Sequence, residues 1–344
     1  MDTAPISPPT TLPKAAASET TAAVLAPDLV TRFAADLAAL TGEPHPPLAL
    51  AVSGGPDSMA MLALAAAALP GDVIAATFDH RLRAESAGEA AMVARWCADH
   101  AIPHAVLTPA RPIAANSLQA RARTARYAAL AAWAAGQGAR FVATAHHADD
   151  QAETMLMRAN RASGVAGLSG IRRRRPLGAV MLVRPLLGWR RAELAAIVAA
   201  LALPVVDDPS NRDPRFARAR VRQWLAAIPE LDTGSIARSA DHLAEMLADW
   251  EQLADRVWSQ RPADAAIDVA DQPRTLRRLL LRRLIAAVRA SHAIVRPPFG
   301  PETHVEAMLD ALAEGRRATQ GGVVVTPRGT VWTAAPAPPR RDHA

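Results

Sequence analysis

Two clusters in this 344-residue chain have the residue types and spacing to do chemistry. The first is Ser53-Gly54-Gly55-Pro56-Asp57-Ser58, and the second is His146-His147-Ala148-Asp149-Asp150-Gln151-Ala152-Glu153-Thr154. In the first, two glycines let the backbone turn tightly with its N–H groups outward. Ser53 and Ser58 add hydroxyl donors, and Asp57 offers a carboxylate that could hold Mg²⁺ on a phosphate. No G-x-x-x-x-G-K-[ST] occurs, so this is not the common P-loop. In the second cluster, Asp150 and Glu153 lie one helical turn apart and can share a face. Zinc prefers neutral nitrogen and thiolate ligands at closed spacing. Carboxylates beside a phosphate loop suit Mg²⁺ or an ammonium group better, with Asp149 a second candidate donor to the metal. A helix start whose acids answer the dipole accounts for Asp149 but not for the two histidines before it.

The surrounding pattern indicates what must position these groups. Leu48–Val52 reads as a buried strand, and an apolar helix runs from Pro56 to Leu69. Strand, glycine turn and helix N-terminus together form an anion cradle. Further strands are expected at Asp72–Phe78, His104–Leu107 and Arg140–Ala145, with helices at Leu29–Leu40, Ala87–His100, Leu118–Ala135 and Asp149–Arg161. This alternation implies an α/β fold, a doubly wound parallel sheet whose ligands sit outside the carboxyl ends of its strands. Three polar clusters fall at those ends: Ser53–Ser58, Asp79-His80-Arg81-Leu82-Arg83, and His146–Asp150. Arg172–Arg175 is expected to be a basic loop. The catalytic domain is expected over 25–230, after a disordered tail over 1–24. A smaller helical domain should follow over 231–318, then a hairpin and proline-rich tail over 319–344.

Composition narrows the classes. The chain is half hydrophobic and carries a net charge of +6, which favours an acidic partner such as nucleic acid. Lys14 is the only lysine, so the core chemistry cannot depend on a lysine side chain. One cysteine, Cys97, permits neither an intrachain disulfide nor a C-x-x-C site. No signal peptide or long apolar run is present, so a cytoplasmic protein with no membrane partner is expected.

Read in order, the motifs resemble a known family. Ser53–Ser58 is similar to the pyrophosphate loop of N-type ATP pyrophosphatases, which split ATP to AMP and pyrophosphate. Asp79-His80-Arg81-Leu82-Arg83, then Gln119 with Ala122-Arg123 and Arg126-Tyr127, then His146–Thr154 resemble the tRNA(Ile)-lysidine synthases. So do Arg161–Gly170, Arg184-Pro185-Leu186-Leu187 and Asp208–Arg222, so the likeness spans about Leu48 to Arg222. The resemblance implies ATP and Mg²⁺, free L-lysine, and a tRNA(Ile) with a CAU anticodon as substrates and cofactors, and it suggests a homodimer. It implies that cytidine 34 is adenylylated and AMP is then displaced by lysine. Ser53, Gly54, Gly55, Pro56, Asp57 and Ser58 would hold the pyrophosphate, with Mg²⁺ on Asp57. Asp150 and Glu153 would hold lysine, and Arg123 its carboxylate or the adenylate. His146 would meet the reacting nucleotide, and Asp79, His80 and Arg83 would line the adenylate edge. Arg126, Arg173 and Arg174 are candidates for tRNA phosphate contacts.

Two positions depart from the family pattern: Ala162 stands where glycine is usual and Ala219 where asparagine is usual. Ala162 is a modest change if its φ is negative. Only the Gly321–Trp332 hairpin remains where long members carry a further tRNA-binding domain, so acceptor-stem recognition is expected to be reduced or altered. Sulfur transfer on the same fold would need more cysteines, and a built-in glutaminase would need a cysteine nucleophile. An ammonia-fed ligase and an inactive nucleotide-binding module remain as alternatives.

Overall fold

A computed structural model describes residues 25–42, 47–81, 85–110, 118–207, 213, 215, 217–261, 265–300 and 303–338. The tail expected over 1–24, Lys14, Arg83 and most of the Asp208–Phe216 motif lie outside these residues. The chain divides into two compact units, Met1–Leu243 and Ala244–Ala344.

The first unit is built on a six-stranded sheet of order β3-β2-β1-β4-β6-β5. Its strands are β1 (Leu48–Ala51), β2 (Val73–Phe78), β3 (His104–Leu107), β4 (Phe141–Ala143), β5 (Arg174–Leu177) and β6 (Val180–Val183). Strand β1 runs parallel to β2, with Leu48 opposite Val73, and parallel to β4, with Ala49 opposite Val142. Strand β4 is parallel to β6. Strand β5 is antiparallel to β6, with Arg174 opposite Val183, so the sheet is parallel except at this edge. The basic loop expected at Arg172–Arg175 is thus half strand. The two-residue return at Gly178–Ala179 turns the chain straight back, and a return that short can only make an antiparallel pair.

Seven helices of this unit matter to the site: α1 (Pro27–Thr41), α2 (Pro56–Ala68), α3 (Ser86–Asp99), α4 (Leu118–Gly136), α5 (Ala148–Ala159), α7 (Arg191–Ala200) and α8 (Ala217–Ala226). A single turn, α6 (Val165–Leu168), follows α5. Helix α2 is apolar all round, with Ser58–Ala65 buried, because it is enclosed between the sheet, α1 and α7. Its burial fixes the turn before it. Leu50, Val52, Met59, Leu62 and Leu64 share one core with Phe33 of α1 and with Leu194 and Ile197 of α7.

Helix α9 (Thr233–Ser259) runs through the boundary between the units. The second unit adds β7 (Ala266–Asp268), α10 (Arg274–Ser291), α11 (Glu306–Ala313), β8 (Ala318–Gln320), β9 (Val323–Arg328) and β10 (Val331–Pro336). The expected hairpin is β9–β10, and these are the two central strands of an antiparallel sheet ordered β7-β10-β9-β8. This unit is therefore mixed α and β, with Leu276, Leu280, Leu284, Val323, Val325 and Trp332 in its core. Helix α10 alternates leucines and arginines at helical spacing, so its leucines are buried and its arginines reach neighbours. Arg278 pairs with Glu306, Arg283 with Asp255, and Arg282 donates to the carbonyls of Thr303 and Gly300. Every ion pair within either unit is made by arginine or histidine among the described residues. No helix of the described residues is long and apolar enough to cross a membrane.

Candidate active site

The chain leaves β1 through Ser53, and Gly54 takes a φ of +84° that places it in the left-handed region. Val206 N–H donates to the Gly54 carbonyl at 2.9 Å, and a side chain at Gly54 would press on Val206, Met92 and Val93. Gly55 is extended and caps α2, with Pro56 in the first turn. Ser58 Oγ donates to the Gly55 carbonyl at 2.9 Å and lies 3.2 Å from Ser53 N. The turn is thereby closed on itself around the helix N-terminus, whose dipole favours an anion.

The His146–Glu153 cluster leaves β4, the strand beside β1. His147 is the N-cap of α5, and its backbone N–H donates to Asp150 Oδ2 at 3.2 Å. Its imidazole is 1 % exposed. It stands 3.4 Å from Asp57 Oδ2, 3.5 Å from Asp149 Oδ2 and 3.6 Å from Asp150 Oδ2. Burial alone would lower its pKa. The carboxylates of Asp149, Asp57 and Asp150 reverse that and push it up to about 9. His147 is thus a buried cation that ties the β1 and β4 loops together. Sequence reasoning singled out its neighbour instead. His146 is half-buried, and its Nδ1 lies 3.0 Å from Thr144 Oγ1. Desolvation lowers its pKa to about 3; Asp150 opposes this, and Arg184, Arg218 and Arg123 add to it. His146 is therefore neutral at pH 7 and able to donate or accept a hydrogen bond.

Two of the expected site residues also carry contacts within the fold. Asp149 uses both oxygens within the fold: Oδ2 accepts Arg191 N–H at 2.8 Å and Oδ1 accepts the Thr233 hydroxyl at 3.0 Å. It braces α5 through both oxygens. Glu153 is 1 % exposed and faces three guanidiniums: Arg191 at 3.2 Å, Arg218 at 3.2 Å and Arg222 at 2.8 Å. Its carboxylate is shared by Arg191 of α7 and by Arg218 and Arg222 of α8. Those arginines recur at positions i and i+4 of α8, a spacing that could have marked them as one face. Asp150 and Asp57 remain as the acids of the cleft, and Asp57 is a third exposed at its side chain.

A divalent cation with phosphate oxygens as co-ligands needs only one or two protein carboxylates. Asp57, part-exposed in the first turn of α2, fits that requirement. No group of three or more His, Cys, Asp and Glu among the described residues is arranged to hold a metal unaided.

The third cluster follows β2. Asp79 Oδ1 accepts Arg81 N–H at 2.8 Å and the Ser86 hydroxyl at 2.7 Å, which turns the loop toward α3. His80 is half-buried next to it. Arg123 and Arg126 project from α4 over the Tyr127 ring, at 4.9 and 5.2 Å from its centroid. Arg173 pairs with Asp241 at 3.0 Å, while Arg174 is exposed on β5. Cys97 is buried in α3, and burial pushes its thiol up to about 12.

Against known proteins, a family model described as a PP-loop domain matches residues 29–230. A tRNA(Ile)-lysidine synthase of Novosphingobium aromaticivorans is 44% identical over 315 residues, covering 90% of this chain and 94% of that protein. One from Methylobacterium nodulans is 40% identical over 308 residues, 85% of this chain and 91% of that protein. Among solved structures, a U34-tRNA thiolase of Methanococcus maripaludis, described with its [4Fe–4S] cluster, superposes with a TM-score of 0.53. It shares 16% sequence identity and covers 63% of this chain and 79% of that one, a likeness of fold alone.

Proposed function

Since the chain belongs to the tRNA(Ile)-lysidine synthase family, with a PP-loop domain over residues 29–230, we propose that it joins free lysine to C2 of cytidine 34 in a CAU-anticodon tRNA(Ile), consuming ATP. The observation that carries this reading is the contact of Asp57 with His147, at 3.4 Å, which makes the phosphate loop and the acidic cluster one site.

Cytosine O2 attacks the α-phosphorus of ATP and pyrophosphate leaves; the ε-amine of lysine then attacks C2 and AMP leaves. The N–H groups of Gly54, Gly55 and Asp57, at the turn and the α2 N-terminus, receive the charge that develops on pyrophosphate. Bound Mg²⁺, with Asp57 as its protein ligand, would supply further charge neutralisation there. Neutral His146, steadied by Thr144, is suited to hydrogen-bond the reacting nucleotide. Asp150 is the carboxylate for the lysine amine, Arg123 meets the lysine carboxylate or the adenylate, and Glu153 acts by fixing Arg218 and Arg222. Asp79 and His80 line the adenylate edge, and Arg83 is assigned there by resemblance. Arg126 and Arg174 remain candidates for tRNA phosphates, whereas Arg173 is already paired. The enzyme is read as cytoplasmic and, by resemblance, homodimeric.

The test is pyrophosphate release from ATP with purified protein, the CAU tRNA, and each amino acid in turn. Release that needs the tRNA, with modified product only when lysine is present, is expected. ATP cleavage with tRNA but indifference to lysine would remove lysine as the nucleophile. Asp57→Ala should abolish release while leaving the far-ultraviolet circular dichroism unchanged; normal turnover by that variant would move the metal and phosphate site elsewhere.

A further inference from the structure

Several arginines of the first unit are taken up by carboxylates. Arg191, Arg218 and Arg222 have Glu153, Arg190 has Asp232, and Arg173 has Asp241. One group is different. Tyr127, the only tyrosine of the chain, is 6 % exposed on α4 and packs with Val142 and Leu182 of the sheet. Three guanidiniums surround its ring: Arg123 at 4.9 Å, Arg126 at 5.2 Å and Arg175 of β5 at 5.1 Å from the centroid. Arg184, 3 % exposed just after β6, joins Arg123 and Arg126 in lowering the pKa of the Tyr127 hydroxyl against its burial. None of these four arginines has a carboxylate within ion-pair distance among the described residues.

Two buried polar atoms in this group also lack a hydrogen-bond partner: Tyr127 Oη and Arg184 Nε. Buried orphans of this kind call for a ligand or water. Arg123, Arg126 and Arg175 turn their flat faces to the ring, while Arg184 donates one Nη1–H to the Arg172 carbonyl and keeps its Nε–H unpaired. The charges also oppose one another. Desolvation and the neighbouring arginines depress the pKa of Arg123, and desolvation with Arg175 and Arg123 outweighs Tyr127 at Arg184. An anion seated among them would remove that repulsion.

We propose that Tyr127, Arg126, Arg175 and Arg184 form a receptor for backbone phosphates of the RNA substrate, next to the reacting nucleotide. This rests on the reading that the substrate is a tRNA. Position separates the receptor from the ATP phosphates. In the strand order, β6 is two strands and β5 three strands from β1, which is about 10 and 14 Å at the usual strand spacing. Arg175 is thus set on a strand well removed from the pyrophosphate loop at the end of β1. The receptor is close to His146, on which both Arg184 and Arg123 act. Successive backbone phosphates, one charge apiece, match a row of guanidiniums better than a single amino-acid carboxylate does.

The test measures the Kd of the CAU tRNA across a salt series, and the Kd of ATP alone, for wild type, Arg175→Ala, Arg126→Ala with Arg175→Ala, and Tyr127→Phe. Each arginine removed should weaken tRNA binding roughly tenfold and make the slope of log K against log[salt] shallower by about 1. Tyr127→Phe keeps the ring and the stack, and should weaken tRNA binding severalfold by removing the hydroxyl. The ATP Kd should hold within about twofold. Unchanged tRNA affinity and slope in the double variant would overturn the receptor, as would a weakened ATP Kd with tRNA binding intact. Failure of the broader reading is distinct: wild type would make no lysine adduct, while the arginine variants would still lose RNA affinity.

Discussion

At the scale of single residues, the two histidines of the acidic cluster divide the work. His147 is held as a cation by three carboxylates, while His146, one residue earlier, is kept neutral by burial and by arginines. The sequence shows the pair but not the division, because the division depends on side chains brought from α2, α4, α8 and the end of β6. Glu153 was legible as a charged group on the site face of α5, but its three arginine partners come from distant segments, so its neutralisation was not. Ala162 is another case. Its φ is +53°, in the left-handed region where the family's usual glycine carries no Cβ penalty, so the substitution is strained rather than modest. Ala162→Gly should raise stability by roughly 0.5–1 kcal/mol, after the greater entropy of glycine in the unfolded chain is deducted. The denaturant midpoint checks this; a lower midpoint would show that Ala162 is unstrained.

At the scale of elements, the glycine-rich segment after α5 is explained by packing. Gly170 has a φ of +69°, and a Cβ there would lie 2.4 Å from Gln151 Oε1. Gln151 is buried and accepts the Ile171 N–H while donating to its carbonyl, and Arg158 caps the carbonyls of Gly167 and Gly170. The segment thus secures the chain between α5 and β5. Gly170→Ala should cost about 2–3 kcal/mol through strain and overpacking. Gly164→Ala, at a position with negative φ and nothing within 4 Å, should be close to neutral. Thermal unfolding of the two variants side by side would test this, and equal effects would remove the role assigned to Gln151. The strand-turn-helix around Ser53–Ser58 was readable from apolar runs and glycines alone, because the burial of β1 and α2 is written in local composition. The antiparallel β5 was not, since a short polar edge strand has no apolar run to reveal it.

At the scale of the molecule, the net charge of +6 is a poor guide to where nucleic acid would bind, because so many arginines serve the fold. In the second unit, a hydrogen-bonded Arg278, with Arg274 beside it, holds the Glu306 carboxyl down at about 2. A depressed carboxylate stabilises above its unfolded pKa, near 4.5, and that contribution is lost as pH falls toward 2. Glu306 is nearly half exposed, so the contribution is on the order of 1 kcal/mol or less. The urea midpoint of Glu306→Gln should lie below wild type at pH 7, and the two should converge as the pH is lowered through that window. A gap that persists in acid would mean that the ion pairs between α10 and α11 do not contribute to stability.

The exclusive use of guanidinium and imidazole in these ion pairs has a chemical consequence for an enzyme that ligates an amine. A lysine side chain lining the cleft would be a tethered mimic of the substrate, able to attack the activated base and modify the protein's own chain. A guanidinium stays protonated and has no free electron pair to offer. With Lys14 the only lysine in the sequence and outside the described fold, the described cleft carries no side-chain amine to be consumed by its own reaction.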